Sequence, residues 1–245
     1  LYFFDMPQGI ANALEPLRSL FFPAHCAHCG RRVEEGRDWC GECASGIERV
    51  KPPRCETCSQ PYDGMTADFI CPNCRGEEFS FVCAVTVARS HRAIRDAIHR
   101  LKYNREMWLA RVLAEIQCEG FADPRLAGIK FDALVPVPLH ARRLRERQFN
   151  QAAILAEHLS KTSKIPVREV LRRTRYTGTQ TRLNRKARRQ NLRDAFSLRQ
   201  DAVVTDLDLL LVDDVLTTGS TLDACAAILL ENGARSVRAL TVARG

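Results

Sequence analysis

Eight of the chain's eleven cysteines fall in four CxxC pairs, Cys26/Cys29, Cys40/Cys43, Cys55/Cys58 and Cys71/Cys74, with gaps of ten, eleven and twelve residues between pairs. Two thiolates three residues apart at the tip of a tight turn grip one tetrahedral zinc together, and two such knuckles close a four-sulfur site. A disulfide framework is the competing arrangement, but a bridge within a CxxC staples almost no chain. A redox CxxC is usually single and opens a helix. Four in series are a metal pattern and predict two structural zinc ions. Sequential pairing gives two stacked ribbons, residues 26–43 and 55–74; interleaved pairing gives a cross-braced fold. The similar spacing within each half and the hinge-like Lys51-Pro52-Pro53 favour the sequential form. His25 and His28 flank the first knuckle, but four sulfurs leave no need for an imidazole. Cys83, Cys118 and Cys225 sit in apolar stretches and read as small core residues.

A second cluster of chemistry lies in LLLVDDVLTTGSTL, residues 209–222. A buried strand delivers Asp213 and Asp214 to its carboxyl edge, where α/β proteins place ligands. Thr217, Thr218, Gly219, Ser220 and Thr221 then turn the chain into a helix, whose positive end and free N–H groups can cradle a phosphate. Two carboxylates beside such a cradle suit a ligand with a phosphate and a vicinal diol or metal. A capped helix after a strand would explain the hydroxyls but not the paired acids. A third feature is charge. Residues 142–193 hold sixteen Lys/Arg against three acids, a local balance of +13, while the rest of the chain sums to −5. That crowding points to an anionic partner, phosphate or nucleic acid.

The elements around these residues follow from periodicity. Ile10, Ala13, Leu14, Leu17 and Phe21 form the stripe of an amphipathic helix over Ile10–Phe22. A strand is expected over 79–89, helices over 91–103 and 105–120, and a strand over 131–139 running into a proline-marked loop. A helix from Asn150 to Lys161 follows, then short strands near Glu169–Arg172 and at 195–198. The apolar strand ending in Asp213 and Asp214, a helix over Ser220–Glu231 and a last strand, SVRALTVA, complete the chain. Strands apolar on both faces and alternating with helices predict a parallel sheet covered on two sides. The 245 residues allow one or two domains, and 45% apolar with 27% charged residues excludes global disorder. No apolar run reaches the ~18 residues of a membrane span. The start, LYFF, lacks the basic flank of a secretion signal, so the cytoplasm is the expected compartment. Because the chain begins with Leu, residues before it are expected.

The peptide at 209–222 resembles the phosphoribosyl pyrophosphate (PRPP) motif of type I phosphoribosyltransferases: four hydrophobic residues, two acids and a TTG-type loop. The resemblance implies that Asp213 and Asp214 take the ribose hydroxyls and Thr217–Thr221 the 5′-phosphate. LFFPAHCAHCG at 20–30, the CxxC knuckles, VPVPLHARRLRERQFNQA at 135–152 and QTRLNRKARRQNLRDAF at 180–196 resemble the ComF/GntX family, competence-linked phosphoribosyltransferase-like proteins, over essentially the whole chain. Two positions depart from its pattern. Gln148 stands where glycine is common, and Ala187 stands where a glutamate often precedes the arginine.

The resemblance implies an α/β fold, a type I phosphoribosyltransferase-like parallel sheet flanked by helices, with a small N-terminal zinc-ribbon domain. The expected divisions are a helix over 1–23, a double zinc ribbon over 24–76 and the transferase-like domain over 77–245. Pro136, Val137, Pro138, Leu139, Arg142, Arg143 and Arg147 match the pyrophosphate loop, where guanidinium forks suit phosphate oxygens. Residues 175–191 match the flexible lid, with Gln180, Arg185, Arg188 and Asn191 expected to close over an anion. Lys102 and Tyr103 match the hood, near 85–108. The implied cofactors are zinc and, with PRPP, magnesium. The implied role is handling single-stranded DNA with an uptake machinery, although Phe149 and Tyr176 are the only aromatics of the basic segment. An active transferase acting on a nitrogen nucleophile and a PRPP sensor without catalysis are the alternatives.

Overall fold

The structure is a computed structural model and describes residues 24–62, 64, 69–175 and 194–245. The helix expected over Ile10–Phe22 and the lid residues Gln180, Arg185, Arg188 and Asn191 lie outside these residues. In chain order the elements are α1 (Gly41–Ser45), β1 (Ala84–Arg89), α2 (Arg92–His99), a π-turn (Arg100–Asn104) and α3 (Leu109–Cys118). Then come β2 (Ala133–Pro136), α4 (Ala141–Arg147), α5 (Gln151–Ser163), β3 (Leu171–Arg173), β4 (Phe196–Leu198), β5 (Asp208–Leu216), α6 (Ser220–Glu231) and β6 (Ser236–Arg244).

Four strands form a parallel sheet in the order β1-β6-β5-β2. Successive side chains of a strand point to opposite faces, and here both faces are apolar. Val85, Val87, Leu210, Val212, Leu240 and Val242 meet α2, α3 and α5 on one side. Ala84, Val135, Leu209, Leu211, Val237 and Ala239 meet α6 on the other. This is the architecture expected of the 77–245 stretch. Among the described residues no helix is long and apolar enough to cross a membrane.

The cysteine-rich segment is joined to the sheet through its edge. Arg49 bridges Ala88 antiparallel, Val50 N donates to Val87 O (2.8 Å), and Arg89 N donates to Glu48 O (2.8 Å). Further along, Ala84 N donates to Thr57 O (2.8 Å) and Thr86 N to the buried Ser59 Oγ (3.1 Å). These bonds satisfy the backbone groups that an edge strand otherwise leaves open. The stretch flanking Lys51-Pro52-Pro53, read as hinge-like, is thus bonded to β1. Ala27 of the first ribbon and Ile47 just after it pack into the α2/α3 side, while all four cysteines of the second pack into the α6 side. The two ribbons therefore straddle the sheet.

Four expectations are corrected. The strand expected over 79–89 narrows to 84–89, because Phe79 and Phe81 stack (ring centroids 4.8 Å) over the loop before α6. The helices expected over 91–103 and 105–120 are shortened by the π-turn and by Arg105, whose left-handed φ of +58° ends it. The arginines at 142, 143 and 147 lie on a helix, α4, rather than in a loop; its only apolar residue past Ala141, Leu144, is exposed, so no stripe announced it. Finally, β3 and β4 pair antiparallel outside the main sheet.

Candidate functional site

The eight paired cysteines gather as two groups, Cys26/Cys29/Cys40/Cys43 and Cys55/Cys58/Cys71/Cys74, and within each group all four sulfurs lie within 4.8 Å of one another. The pairing is the sequential one. Every cysteine is free, and the separations Cys29–Cys40 (3.7 Å) and Cys58–Cys71 (3.5 Å) match the ~3.8 Å edge of a tetrahedron with 2.3 Å zinc–sulfur bonds. Backbone turns shape the knuckles: Gly30 N donates to Cys26 O (3.1 Å) and Ser59 N to Cys55 O (2.9 Å). The crowded sulfurs perturb one another. Burial opposes charge on Cys26, yet N–H donors of Cys40, Cys29 and His28 hold its thiol down to about 6. Burial and then the neighbouring sulfurs of Cys40, Cys26 and Cys29 push Cys43 up. Likewise Cys58 and Cys74 hold Cys55 low, while bonding to Cys55 pushes Cys58 up to about 11. Four thiolates share so small a volume only around a divalent ion, and the donor set fits zinc. His25 is exposed, and His28 faces Asp96 (3.4 Å) rather than the sulfurs. Cys83 and Cys225 are buried as expected, and Cys118 is half-buried.

The second site stands at the carboxyl end of β5. Asp214 is buried, and its carboxylate meets Lys102 Nζ and accepts from Gln151 Nε2 (3.3 Å). Asp213 accepts from Asp214 N (2.9 Å) through Oδ1. Burial, then the adjacent Asp214 carboxylate, push the Asp213 carboxyl well above the usual range, with Lys102 working against them. The chain then turns through Thr217–Thr221 around a concavity of about 40 Å³. Gly219 holds φ +83°, and a Cβ there would lie 3.3 Å from Phe79 and 3.6 Å from Phe81. Only glycine combines that left-handed backbone with so close an aromatic cover. Thr217 and Thr218 are exposed, and the hydroxyls of Thr218 and Ser220 lie 3.0 Å apart at the N-terminus of α6. Hydroxyls, N–H groups and a helix dipole converge on one spot, an arrangement suited to a phosphate.

Beside it opens a cleft of about 340 Å³ lined by Lys102, Tyr103, Arg105, Arg143, Glu146 and Arg147. Four cations face one acid, and the exposed Tyr103 ring lies under the Arg147 guanidinium (5.4 Å). Pro136, Val137 and Pro138 are buried at the end of β2, with Val137 N donating to Val212 O (3.0 Å). Leu139 is half-buried, and Arg142 is exposed and pairs with Glu146 (3.0 Å). The fold thus brings the acids, the Thr217–Thr221 loop and the α4 arginines to one end of the sheet. Sequence reasoning missed Gln151 and the pairing of Lys102 with Asp214. Both partners come from helices far from β5 in the chain, and no local spacing signals such contacts.

Residues 17–77 match the double zinc ribbon domain, and residues 102–245 match the phosphoribosyl transferase domain. Competence protein F of Haemophilus influenzae is 31% identical over 229 residues, 91% of this chain and 98% of that protein. DNA utilization protein YhgH of Escherichia coli K12 is 33% identical over 230 residues, 92% of this chain and 99% of that one. A purine phosphoribosyltransferase from Pyrococcus horikoshii Ot3 superposes with a TM-score of 0.33 at 19% identity, over 52% of this chain and 70% of that chain.

Proposed function

Since the chain belongs to the family of competence protein F and DNA utilization protein YhgH, a double zinc ribbon joined to a phosphoribosyl transferase domain, we propose that it binds PRPP at the end of β5 and uses that domain in handling single-stranded DNA during uptake. One observation carries the ligand: the paired Asp213 and Asp214 open directly into the Thr217–Thr221 loop at the start of α6. On this reading the carboxylates accept the ribose hydroxyls, and the loop hydroxyls and N–H groups hold the 5′-phosphate. Arg143, Arg147 and the lid arginines Arg185 and Arg188 take the pyrophosphate. Magnesium arriving with PRPP supplies charge neutralisation at the pyrophosphate oxygens. Lys102 leaves Asp214 when a ribose hydroxyl takes its place.

Calorimetry with PRPP and magnesium tests the site. Asp213→Asn with Asp214→Asn removes the acceptors, and at roughly 1.5–3 kcal/mol per charge-assisted hydrogen bond the affinity falls ~100-fold or more. Zinc content stays at two ions per chain. Unchanged affinity would mean that the motif is only a capped helix. Consumption of PRPP with release of pyrophosphate, on adding a nitrogen nucleophile, would mark a transferase; binding without turnover marks a carrier or sensor.

The DNA part of the reading is supported by the cleft beside the loop. Its four cations supply charge, and the exposed Tyr103, with Trp108 exposed just beyond, supplies the stacking rings in which the basic segment is poor. Replacing Arg105, Arg143 and Arg147 with Ala flattens the salt dependence of single-strand binding by about two units of log–log slope, at about 0.7 per phosphate contact. An unchanged slope places the strand elsewhere. Competition between PRPP and DNA follows if this one cationic cleft serves both.

A further inference from the structure

Arg244, the last residue of β6, is buried, and among the described residues no aspartate or glutamate side chain lies within ion-pair distance of it. A buried guanidinium without a counter-charge is costly. What its fork does reach is a sulfur and two main-chain oxygens. Nη2 points at Cys58 Sγ (3.9 Å), and Nη1 donates to Leu216 O (2.9 Å) and to Gly245 O (2.5 Å). Cys58 belongs to the second four-sulfur centre, and Leu216 is the last residue of β5, immediately before Thr217. Four thiolates around one zinc carry a net charge of −2, so the loaded centre offers this guanidinium a buried counter-charge.

A second grip comes from the chain leaving Cys74. Phe79 and Phe81 cover Gly219, and Ser80 N donates to Asp223 Oδ1 (2.7 Å) in the buried first turn of α6. The loop is therefore held on one side by Arg244 and on the other by the exit of the same ribbon. The first ribbon reaches other elements: Arg100 donates to Ala27 O, Arg111 pairs with Asp38, and His28 faces Asp96. Those contacts lie on α2, α3 and the turn between them.

From this geometry we infer that the second zinc centre sets the conformation of the Thr217–Thr221 loop, with Arg244 as the positioning residue. The metal at Cys55/Cys58/Cys71/Cys74 is thereby coupled to phosphate binding, and the metal at Cys26/Cys29/Cys40/Cys43 is not. The ligand side of this inference rests on the PRPP reading above, whereas the anchoring of the loop does not. Hydrogen–deuterium exchange on the full-length, zinc-loaded protein separates the two. In Arg244→Met, zinc stays at two ions per chain and exchange over residues 215–222 rises at least tenfold. PRPP affinity falls about tenfold with it, and Arg244→Lys, which keeps the cation, recovers part of both.

Full-length protein loaded with cobalt supplies a signature that the parent by itself can report. Adding PRPP and magnesium shifts the sulfur-to-cobalt charge-transfer band in the parent, and Arg244→Met abolishes the shift. Parent-like exchange over 215–222 in Arg244→Met, or a cobalt band in the parent that ignores bound PRPP, overturns the inference. If exchange rises but the parent binds no PRPP, the anchoring stands and the ligand reading falls.

Discussion

Two aspartates in this protein are tuned in opposite directions, and the sign of each has a consequence. Asp123 is buried between Arg125 (Nη2 to Oδ2, 2.8 Å; Nε to Oδ1, 3.0 Å) and Arg54 (2.7 Å). Burial opposes its charge, but the fork of Arg125 and then the charge of Arg54 prevail and hold its carboxyl below the usual range. Burial and the charge of Arg125 push the Arg54 guanidinium down, so one carboxylate serves two cations. Asp123→Asn leaves both cations buried without it and costs roughly 3–5 kcal/mol at neutral pH by urea unfolding. Because the folded pKa lies below the unfolded one, that stabilisation is present above the ordinary carboxylate range and fades as the pH falls through the folded value. The difference between parent and variant shrinks in acid; a difference independent of pH would contradict the pairing. Asp213 runs the other way. Burial and Asp214 raise its carboxyl, so the native state gives up this proton at a higher pH than the unfolded chain does. Its cost to stability appears as the pH rises above the ordinary carboxylate range. Asp213→Asn stabilises the ligand-free protein by about 1 kcal/mol at neutral pH while weakening PRPP binding, the trade expected of a residue kept for a ligand. A destabilised variant in thermal melts would remove this carboxylate from the strained groups.

At the scale of elements, Gln148 is the clearest case of sequence and backbone disagreeing. It closes α4 with Gln148 N donating to Leu144 O (2.6 Å), at φ +70°, a left-handed conformation. Such a backbone costs a side-chain-bearing residue about 1–2 kcal/mol, and glycine far less. The position where the sequence departs from a common glycine has therefore kept the glycine-like turn and bears its strain. Gln148→Gly relieves it for a net gain of about 1 kcal/mol in urea unfolding, after glycine's larger entropy loss. A loss of stability would mean that the Gln148 side chain makes up for the strain. What the sequence disclosed at this scale follows from range. The strand at 208–216 and helix at 220–231 were legible because a doubly buried strand is a continuous apolar run and a turn glycine marks its end. Helix α4 was not legible, since seven residues with one exposed leucine carry no period. The knuckle pairs were legible in spacing, as ligands of one metal cluster within a short stretch. The Lys102–Asp214 pair was not, because it joins residues 112 positions apart through folding alone.

For the whole molecule, the two metal centres differ in how deeply the fold has absorbed them. Cys55, Cys58, Cys71 and Cys74 are all buried in the same apolar cluster as Leu211, Val135 and α6. In the first centre Cys26 and Cys40 are buried but Cys29 is exposed and Cys43 half-buried, and apart from Ala27 in the α2/α3 core its ribbon is held by ion pairs and hydrogen bonds at the surface of α2 and α3. A structural zinc contributes on the order of 10 kcal/mol or more to the fold around it, but the rate at which a chelator reaches it depends on how much structure must open. Opening the first knuckle uncovers Ala27 but less of the core than opening the second. Opening the second separates Cys58 from Arg244, uncovers the edge of β1 and breaks the bonds of Ser59 and Thr57 to that strand. Challenge with a chromogenic chelator therefore releases zinc in two steps of one ion each. The first proceeds with the sheet intact by circular dichroism and changes little with mild urea. The second has the rate of global unfolding and accelerates with urea in parallel with it. Following zinc release and ellipticity in the same samples decides the matter. Release of both ions in a single phase, or loss of the sheet with the first ion, would show that the ribbons act as one unit and that the asymmetry in burial has no kinetic consequence.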